Sequence, residues 1–153
     1  MKKIKDFQYK PDMTVTELVD SFGSLGYQSI ELHEATKIFL KMKRENCKIF
    51  LTFTSNMVTS GLRGLFAQLC SLKIPNILVT TSGSIEEDIM KSLGAEFEVS
   101  SFNADDTALH ESGENRIGNI TIKTEAYMKF EDKVSEYLDK VYQEKKRVSS
   151  SEL

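Results

Sequence analysis

The chain has 153 residues, of which 40% are hydrophobic and 28% charged, with a net charge of −3 and a pI near 5.5. This length fits one domain with a sizeable core, and the charge balance disfavours a nucleic-acid partner, which would need a concentrated basic face. No apolar run approaches the roughly 20 residues that span a bilayer. The start Met1-Lys2-Lys3-Ile4-Lys5-Asp6 does not lead into the apolar stretch of a signal peptide. We therefore expect a cytoplasmic protein that binds neither membrane nor nucleic acid.

The first third of the chain predicts an extended lead-in and two helices. Residues 2–11 end at a proline, and Thr14-Val15-Thr16-Glu17 has the spacing of a capping box, which would begin a short helix ending near Gly23. Residues 28–46 predict an amphipathic helix with charged residues facing solvent. His33 lies in this helix without a second histidine or cysteine nearby, which favours a structural role over metal binding. The expected apolar face consists of Leu32, Ala35, Phe39 and Met42.

Two strand–turn–helix units follow each other in the middle of the chain. Residues 48–53 predict a strand that leads into the polar turn Thr54-Ser55-Asn56 and a helix. Residues 76–80 are apolar without alternation, which suits a parallel strand covered on both faces. Consecutive units of this kind predict a right-handed crossover and a parallel sheet flanked by helices. The face of the first helix consists of Leu62, Leu65, Phe66 and Leu69.

The turn after the second strand, Thr81-Ser82-Gly83-Ser84, is the first candidate site. Gly83 would allow backbone angles closed to other residues, and Ser84 with Glu87 has the spacing of a second capping box. Ligands of open α/β sheets bind beyond the carboxyl ends of the strands, so a cofactor phosphate or hydroxyl could meet backbone N–H groups here. Glu86-Glu87-Asp88 would repel one another and attract a cation such as a polyamine. From spacing alone, acids favoured by the helix dipole are the simpler interpretation.

The last third predicts less regular structure and one long helix. We expect strands at 97–99 and 120–122, a long loop over 100–114 with an exposed His110, and a helix over 124–145. Residues 148–153 would be a flexible tail, which leaves a single α/β domain over 1–147. Cys47 and Cys70 lack CxxC spacing, so buried free thiols are favoured over a disulfide or metal site. The face expected on the last helix consists of Tyr127, Phe130, Val134, Tyr137, Leu138 and Val141.

Four segments resemble the deoxyhypusine synthase family, in that family's order and at similar spacings. The start Lys5-Asp6-Phe7 and the helix with Thr16-Glu17-Leu18-Val19 also look like archaeal members. The resemblance covers nearly the whole chain but only about half of the family's usual length. The four segments are Phe53-Thr54-Ser55-Asn56-Met57-Val58-Thr59-Ser60-Gly61-Leu62-Arg63, Val79-Thr80-Thr81-Ser82-Gly83-Ser84-Ile85-Glu86-Glu87-Asp88, Asn115-Arg116-Ile117-Gly118-Asn119 and Lys129-Phe130-Glu131-Asp132.

The resemblance implies a Rossmann-like NAD-binding fold, present here as half of the usual domain, and an NAD-dependent transfer of the aminobutyl group of spermidine to a lysine of a translation initiation factor. It implies that Glu86 and Glu87 hold polyamine. Ser82 and Ser84 stand where relatives often have alanine and glycine, which are small changes. The positions that match the family's NAD site are Ser55, Asn56, Met57, Val58, Thr59, Thr81, Ser82, Gly83 and Glu87.

The family's nucleophilic lysine, its neighbouring tryptophan and its catalytic histidine belong to the half that has no match here. We therefore expect no catalytic residue in this chain, and inactivity when it is alone. The favoured interpretation is a split enzyme, a hetero-tetramer or larger, in which a second polypeptide carries the lysine. Three alternatives stay open: a catalytically inactive regulatory paralogue, a homospermidine synthase-like subunit with a small amine as acceptor, and a fragment of a longer chain.

Overall fold

The computed structural model describes residues 3–153, so the first two residues of the chain lie outside the described residues. Contacts divide the chain into two compact units, one ending at Ile49 and the other covering Phe50–Leu153. The units are described separately, and the single domain expected over 1–147 stays a prediction.

The first unit contains an extended lead-in and two helices. Helix α1 covers Val15–Ser21 and continues into a 3-10 turn, Phe22–Ser24, and helix α2 covers Gln28–Arg44. The capping box that was predicted at the start of α1 is confirmed: the Glu17 amide donates to the Thr14 hydroxyl, and the Thr14 amide donates to the Glu17 carboxylate at 2.8 Å. The bonds from the Thr14 amide and hydroxyl lower the pKa of Glu17.

The prediction that α2 buries its apolar face is wrong. Leu32 and Phe39 are 51% and 41% exposed, Ala35 is exposed, and Met42 is only half-buried. Periodicity therefore located the helix correctly but did not identify a face that this chain buries, because burial depends on what packs against a helix.

The side chain that α2 does bury is His33. Its Nδ1 lies 3.1 Å from the Val19 carbonyl oxygen, and its ring packs against Gly23. A Cβ on Gly23 would come within 2.7 Å of the His33 Nε2, so the glycine is required by the close approach of the ring. His33 thus has the structural role that its isolation in the sequence predicts.

The second unit begins with the two predicted strand–turn–helix units. Strands β1, Phe50–Phe53, and β2, Ile77–Thr80, pair in parallel, as predicted. A π-helical turn, Val58–Leu62, precedes helix α3, Arg63–Ser71, and helix α4 covers Gly83–Ser92. The left-handed φ of 102° at Gly61 breaks the helical path within the π-helical turn.

Helices cover only one face of this strand pair. The Phe53 and Phe66 rings stack with centroids 3.7 Å apart, which packs α3 on the inner face. On the outer face, Phe50 and Val79 are 62% and 50% exposed, so the expectation of a strand covered on both faces is wrong. Of the face predicted for α3, Leu65 is exposed as well.

A second, antiparallel sheet follows. The strands predicted at 97–99 and 120–122 are confirmed as two of its members, but the sheet itself and its third strand were not predicted. Its strand order is β3-β5-β4, and Gly118, with a φ of 64°, lies in the turn that joins β4 to β5. The long loop predicted over 100–114 is partly wrong, because helix α5 lies within it, and His110 on α5 is exposed as expected. The elements of this part are β3 Glu98–Val99, α5 Asp106–Glu111, β4 Glu114–Ile117, β5 Ile120–Lys123 and α6 Thr124–Glu144.

Helix α6 begins and ends close to the predicted positions. Four of the six residues predicted for its apolar face are half-buried, while Tyr137 and Leu138 are 49% and 42% exposed. The Tyr137 hydroxyl donates to the Leu153 carbonyl at 2.7 Å, so the tail contacts the helix, and its flexibility stays a prediction. Among residues 3–153, no helix combines the length and apolar character needed to cross a membrane.

The two cysteines are free thiols, but the expectation that they are buried is wrong. Cys47 and Cys70 are both exposed. Cys47 follows the end of α2, and Cys70 lies near the end of α3.

Candidate functional site

The two hydroxyl-rich turns leave the sheet side by side. The register of β1 and β2 pairs Phe53 with Thr80, the last residue of each strand, so both chains exit at one edge. The Thr80 hydroxyl donates to the Phe53 carbonyl at 2.9 Å and lies 2.5 Å from the Ser84 hydroxyl. The two turns that were predicted to share a crevice therefore leave the sheet at the same edge.

A direct hydrogen bond joins the two turns. The Ser55 amide donates to the Thr81 hydroxyl at 3.0 Å, so this N–H group is used within the chain. The amides of Val58 and Thr59 likewise donate to the Ser55 carbonyl. The groups that the turns offer outward are therefore chiefly exposed side chains, among them those of Asn56 and Ser82.

Gly83 is needed for close contact rather than for its backbone angles. It is the first residue of α4 and does not adopt a left-handed φ, so the conformational reason expected from the sequence is wrong. A Cβ at this position would meet the Cβ and Oγ of Ser55 at 3.0 Å. The absence of a side chain lets the two turns touch.

Glu87 is a buried acid that links the two turns. The capping box predicted for it with Ser84 is wrong, because its carboxylate accepts a hydrogen bond from the Thr59 hydroxyl of the other turn, while Ser84 bonds with Thr80. Glu87 is 7% exposed. Burial raises the pKa of Glu87, the Thr59 hydrogen bond opposes that shift, and the charge of Glu86 adds to it.

Two further residues surround this carboxylate and were not singled out from the sequence. The Lys91 ammonium donates to the carbonyls of Val58 and Thr59 at 3.2 and 3.4 Å. Burial raises the pKa of Tyr127, and the negative charges of Glu86 and Glu87 raise it further. Lys91 could have been found, since it follows Glu87 by one helical turn, whereas the approach of Tyr127 from α6 has no local signal.

The three consecutive acids do not act as one cluster. Glu86 is half-buried and lies near Glu87, but Asp88 is exposed and accepts a hydrogen bond from the Arg63 guanidinium. The rim of like charges expected from the sequence is therefore reduced to the pair Glu86 and Glu87.

Most of the predicted cofactor residues surround the junction of the turns rather than a deep cavity. A cleft of about 460 Å³ opens beside it and is lined by Val58 and Ser84, together with residues of α3 and α4 such as Phe66 and Asp88. A separate cavity of about 240 Å³ is lined by residues of α4, β5 and α6 and includes none of the predicted site residues.

The fold and site together define the class of protein: an α/β protein with parallel strands and a buried carboxylate where two hydroxyl-rich turns meet at the carboxyl ends of those strands. Residues 17–153 match the family model of deoxyhypusine synthase. The chain belongs to the deoxyhypusine synthase family, as the resemblance predicted.

Three relatives known by sequence agree with this assignment. A probable deoxyhypusine synthase of Schizosaccharomyces pombe is 36% identical over 92% of this chain, and one of Thermoplasma acidophilum is 32% identical over 99%. The deoxyhypusine synthase of Neurospora crassa is 37% identical over 95%. A solved Entamoeba histolytica chain named for the same family is 36% identical, with a TM-score of 0.46, over 60% of this chain and 38% of that chain.

The match covers only part of these relatives. This chain spans 43% of the Schizosaccharomyces pombe and Neurospora crassa proteins and 49% of the Thermoplasma acidophilum protein. It is therefore similar to about half of a deoxyhypusine synthase.

Proposed function

We propose that this chain is the amino-terminal subunit of a split deoxyhypusine synthase and that a separate polypeptide supplies the carboxy-terminal half. The observation that carries the proposal is the buried carboxylate of Glu87 beside Thr59, at the shared exit of two parallel strands. A carboxylate in a setting of low dielectric attracts a cationic amine more strongly than one in water. The family membership supports the assignment to a deoxyhypusine synthase, and the match to about half of a relative's length supports the division into two polypeptides.

The residues of the two turns fit a dinucleotide by their chemistry. Their exposed hydroxyls and the Asn56 side-chain amide can bond the phosphates and ribose hydroxyls of NAD, and a carboxylate can accept bonds from ribose hydroxyls. When bound, NAD would supply the oxidation of the amine by accepting a hydride. We assign Ser55, Asn56, Met57, Val58, Thr59, Thr81, Ser82, Gly83 and Glu87 to the cofactor, and Glu86 and Glu87 to spermidine.

Aminobutyl transfer also needs a nucleophilic lysine with a deprotonated amine. Lys91, one helical turn after Glu87, is held by two backbone carbonyls, and Lys129 donates to the Leu93 carbonyl. We therefore place the nucleophile in the partner polypeptide, within a hetero-tetramer or larger assembly. The acceptor would be a lysine of a translation initiation factor, which makes the cytoplasm the expected location.

Reconstitution with the partner tests this function. We expect each polypeptide alone to be inactive and the complex to transfer the aminobutyl group from spermidine to the translation factor in the presence of NAD. Glu87→Gln should lower the transfer rate of the complex by about tenfold or more, because a hydrogen bond or ion pair to a charged group is worth roughly 1.5–3 kcal/mol. Asp88→Asn is the matched control, since Asp88 is exposed and pairs with Arg63 rather than with Thr59, and should stay within about twofold of the wild type.

Two results would replace the proposal by its alternatives. A partner that carries its own copy of the Thr81 and Glu86 region and is active by itself would make this chain a regulatory paralogue. Transfer to putrescine in preference to the translation factor would indicate a homospermidine synthase-like subunit. Full activity of the Glu87→Gln complex would contradict the assignment of Glu87.

A further inference from the structure

We propose that the outer face of the β1–β2 sheet is the surface on which the partner polypeptide docks. This outer face consists of Phe50, Thr52, Ile77 and Val79. The inference rests on the proposed function for the identity of the partner, and on the geometry of the sheet for the position of the surface.

The outer face is a continuous apolar patch. Successive side chains of a strand alternate between faces, and the parallel register places Phe50 beside Ile77 and Thr52 beside Val79. Phe50, Ile77 and Val79 are 62%, 44% and 50% exposed. Adjacent strands lie about 4.8 Å apart, so the side chains of paired residues are neighbours and present one surface.

The opposite face is already covered by this unit's own helices. Phe53 stacks on Phe66 of α3, and Thr80 contacts Ser84 of α4. Parallel sheets are stable when both faces are covered, and a pair of strands seldom persists without further strands or packed helices. The helices of this unit therefore leave the outer face of the sheet uncovered.

The missing layer matches what the rest of a family member would provide. The chain spans 43–49% of its relatives, so a polypeptide of comparable length remains to be accounted for. A partner with an apolar helix or strand layer would bury the aromatic and aliphatic side chains of the outer face. Two copies of this chain could also pack through the same outer face, and the test below separates such a homodimer from the complex with the partner.

Co-purification of the complex with a charged variant tests the surface. The full chain is co-expressed with the polypeptide of the same cell that matches the carboxy-terminal half of deoxyhypusine synthases, and the dissociation constant is measured. Val79→Lys should weaken the complex by about tenfold or more, because a charge would be buried in an apolar interface. Val99→Lys is the matched control, since Val99 is also an exposed strand valine, 89% exposed, and should change the constant by less than about twofold.

Circular dichroism of both variants guards against loss of folding. If Val79→Lys unfolds the chain, Val79→Thr replaces it, since threonine keeps the shape and β-preference of valine; it should weaken the complex by about threefold. Partner binding unchanged in a folded Val79→Lys chain would overturn the docking surface. Loss of a homodimer in that variant, with partner binding intact, would overturn it as well.

Transferase activity of the same complexes separates this inference from the proposed function. An inactive wild-type complex that Val79→Lys nevertheless dissociates would leave the docking surface in place and overturn the split enzyme. An active wild-type complex that Val79→Lys leaves assembled would leave the split enzyme in place and overturn the docking surface.

Discussion

The carboxylate of Glu87 lies in a buried environment that disfavours its ionised form. Gly83 lies so close to Ser55 that a side chain would not fit. Both effects come from the segment that follows β1: its Thr59 donates a hydrogen bond to Glu87, and its Ser55 lies against Gly83. The same contact that brings the turns together thus sets both the electrostatics and the sterics of the site. Two predictions follow from these residues.

Glu87→Gln should change the stability of the chain in a pH-dependent way. Because burial raises the pKa of Glu87 in the folded state, the protonated form is favoured there, and its stabilisation is complete below the unfolded value of 4.5 and is lost as the pH rises through the folded pKa. Glutamine keeps an acceptor for Thr59 without the charge. The variant should therefore have a higher free energy of unfolding than the wild type at pH 7, and the difference should shrink as the pH falls to 4.

Urea denaturation at a series of pH values measures this difference. Asp88→Asn serves as the control, since Asp88 is exposed. A difference between Glu87→Gln and the wild type that does not vary with pH would show that Glu87 is not buried as described.

Gly83→Val should separate the two turns. The added side chain would meet Ser55 at 3.0 Å, and overpacking of this kind costs about 1–3 kcal/mol. We expect a lower free energy of unfolding and a loss of NAD affinity in the reconstituted complex, measured by cofactor titration. Gly26→Val is the control, because a Cβ at Gly26 would meet only the Ile4 Cδ1, at an ordinary contact distance of 3.9 Å. A normal cofactor titration for Gly83→Val would refute the junction of the turns as the NAD site.

At the scale of elements, short hydrogen-bonded motifs determine where helices begin. The Thr14–Glu17 capping box starts α1, and the Asp105 carboxylate accepts bonds from the amides of Thr107 and Ala108 at the start of α5. Arg116 of β4 reaches back to Asp106 with two nitrogens, which lowers the pKa of Asp106 and ties this helix to the following hairpin. A helix of only six residues depends on such contacts, because its few backbone bonds cannot offset nucleation.

Asp105→Ala should loosen α5 selectively. Loss of an N-cap costs about 1 kcal/mol, so the amides of Thr107 and Ala108 should exchange with solvent about fivefold faster. Hydrogen exchange followed by NMR measures this rate. Asp105→Asn keeps the acceptor and should retain most of the protection, whereas equal exchange in the alanine variant and the wild type would contradict the role of the cap.

At the scale of the whole molecule, several large apolar side chains are exposed to solvent. Phe50, Ile77 and Val79 are exposed on the parallel sheet, and Leu32 and Phe39 are exposed on α2 in the other unit. Contiguous apolar patches on a soluble chain mark interaction surfaces or sites of aggregation. This exposure fits a chain that is similar to about half of each relative.

A hydrophobic dye should therefore bind the isolated chain and be displaced by the partner. We expect the fluorescence of anilinonaphthalene sulfonate to be higher with this chain alone than with the reconstituted complex, because the complex buries the outer face of the β1–β2 sheet. Val79→Lys should lower the signal of the isolated chain, and Ser92→Lys, on a polar position of α4, should leave it unchanged. Equal dye binding by the chain and the complex would contradict burial of this face.

The sequence by itself determined the local structure and the family. Capping residues, apolar periodicity and the two hydroxyl-rich turns predicted α1, α2, both parallel strands, α3, α4 and α6, because these signals act within a few residues along the chain. The short helix α5 and the strand β4 were not predicted, since six or fewer residues carry little periodicity. The quoted motifs were sufficient for the resemblance that the family model confirms.

Only the tertiary structure decided which side chains are buried and which groups pair. Glu87 and Thr59 are 28 residues apart in sequence, and Ser55 and Thr81 are 26 apart, so no local pattern could show that they bond. Likewise, the exposure of Phe50 or Leu32 depends on what packs against a strand or helix, which the residue's own neighbours in sequence do not encode. Backbone conformation follows largely from short-range preferences, whereas burial and pairing are set by contacts between distant segments.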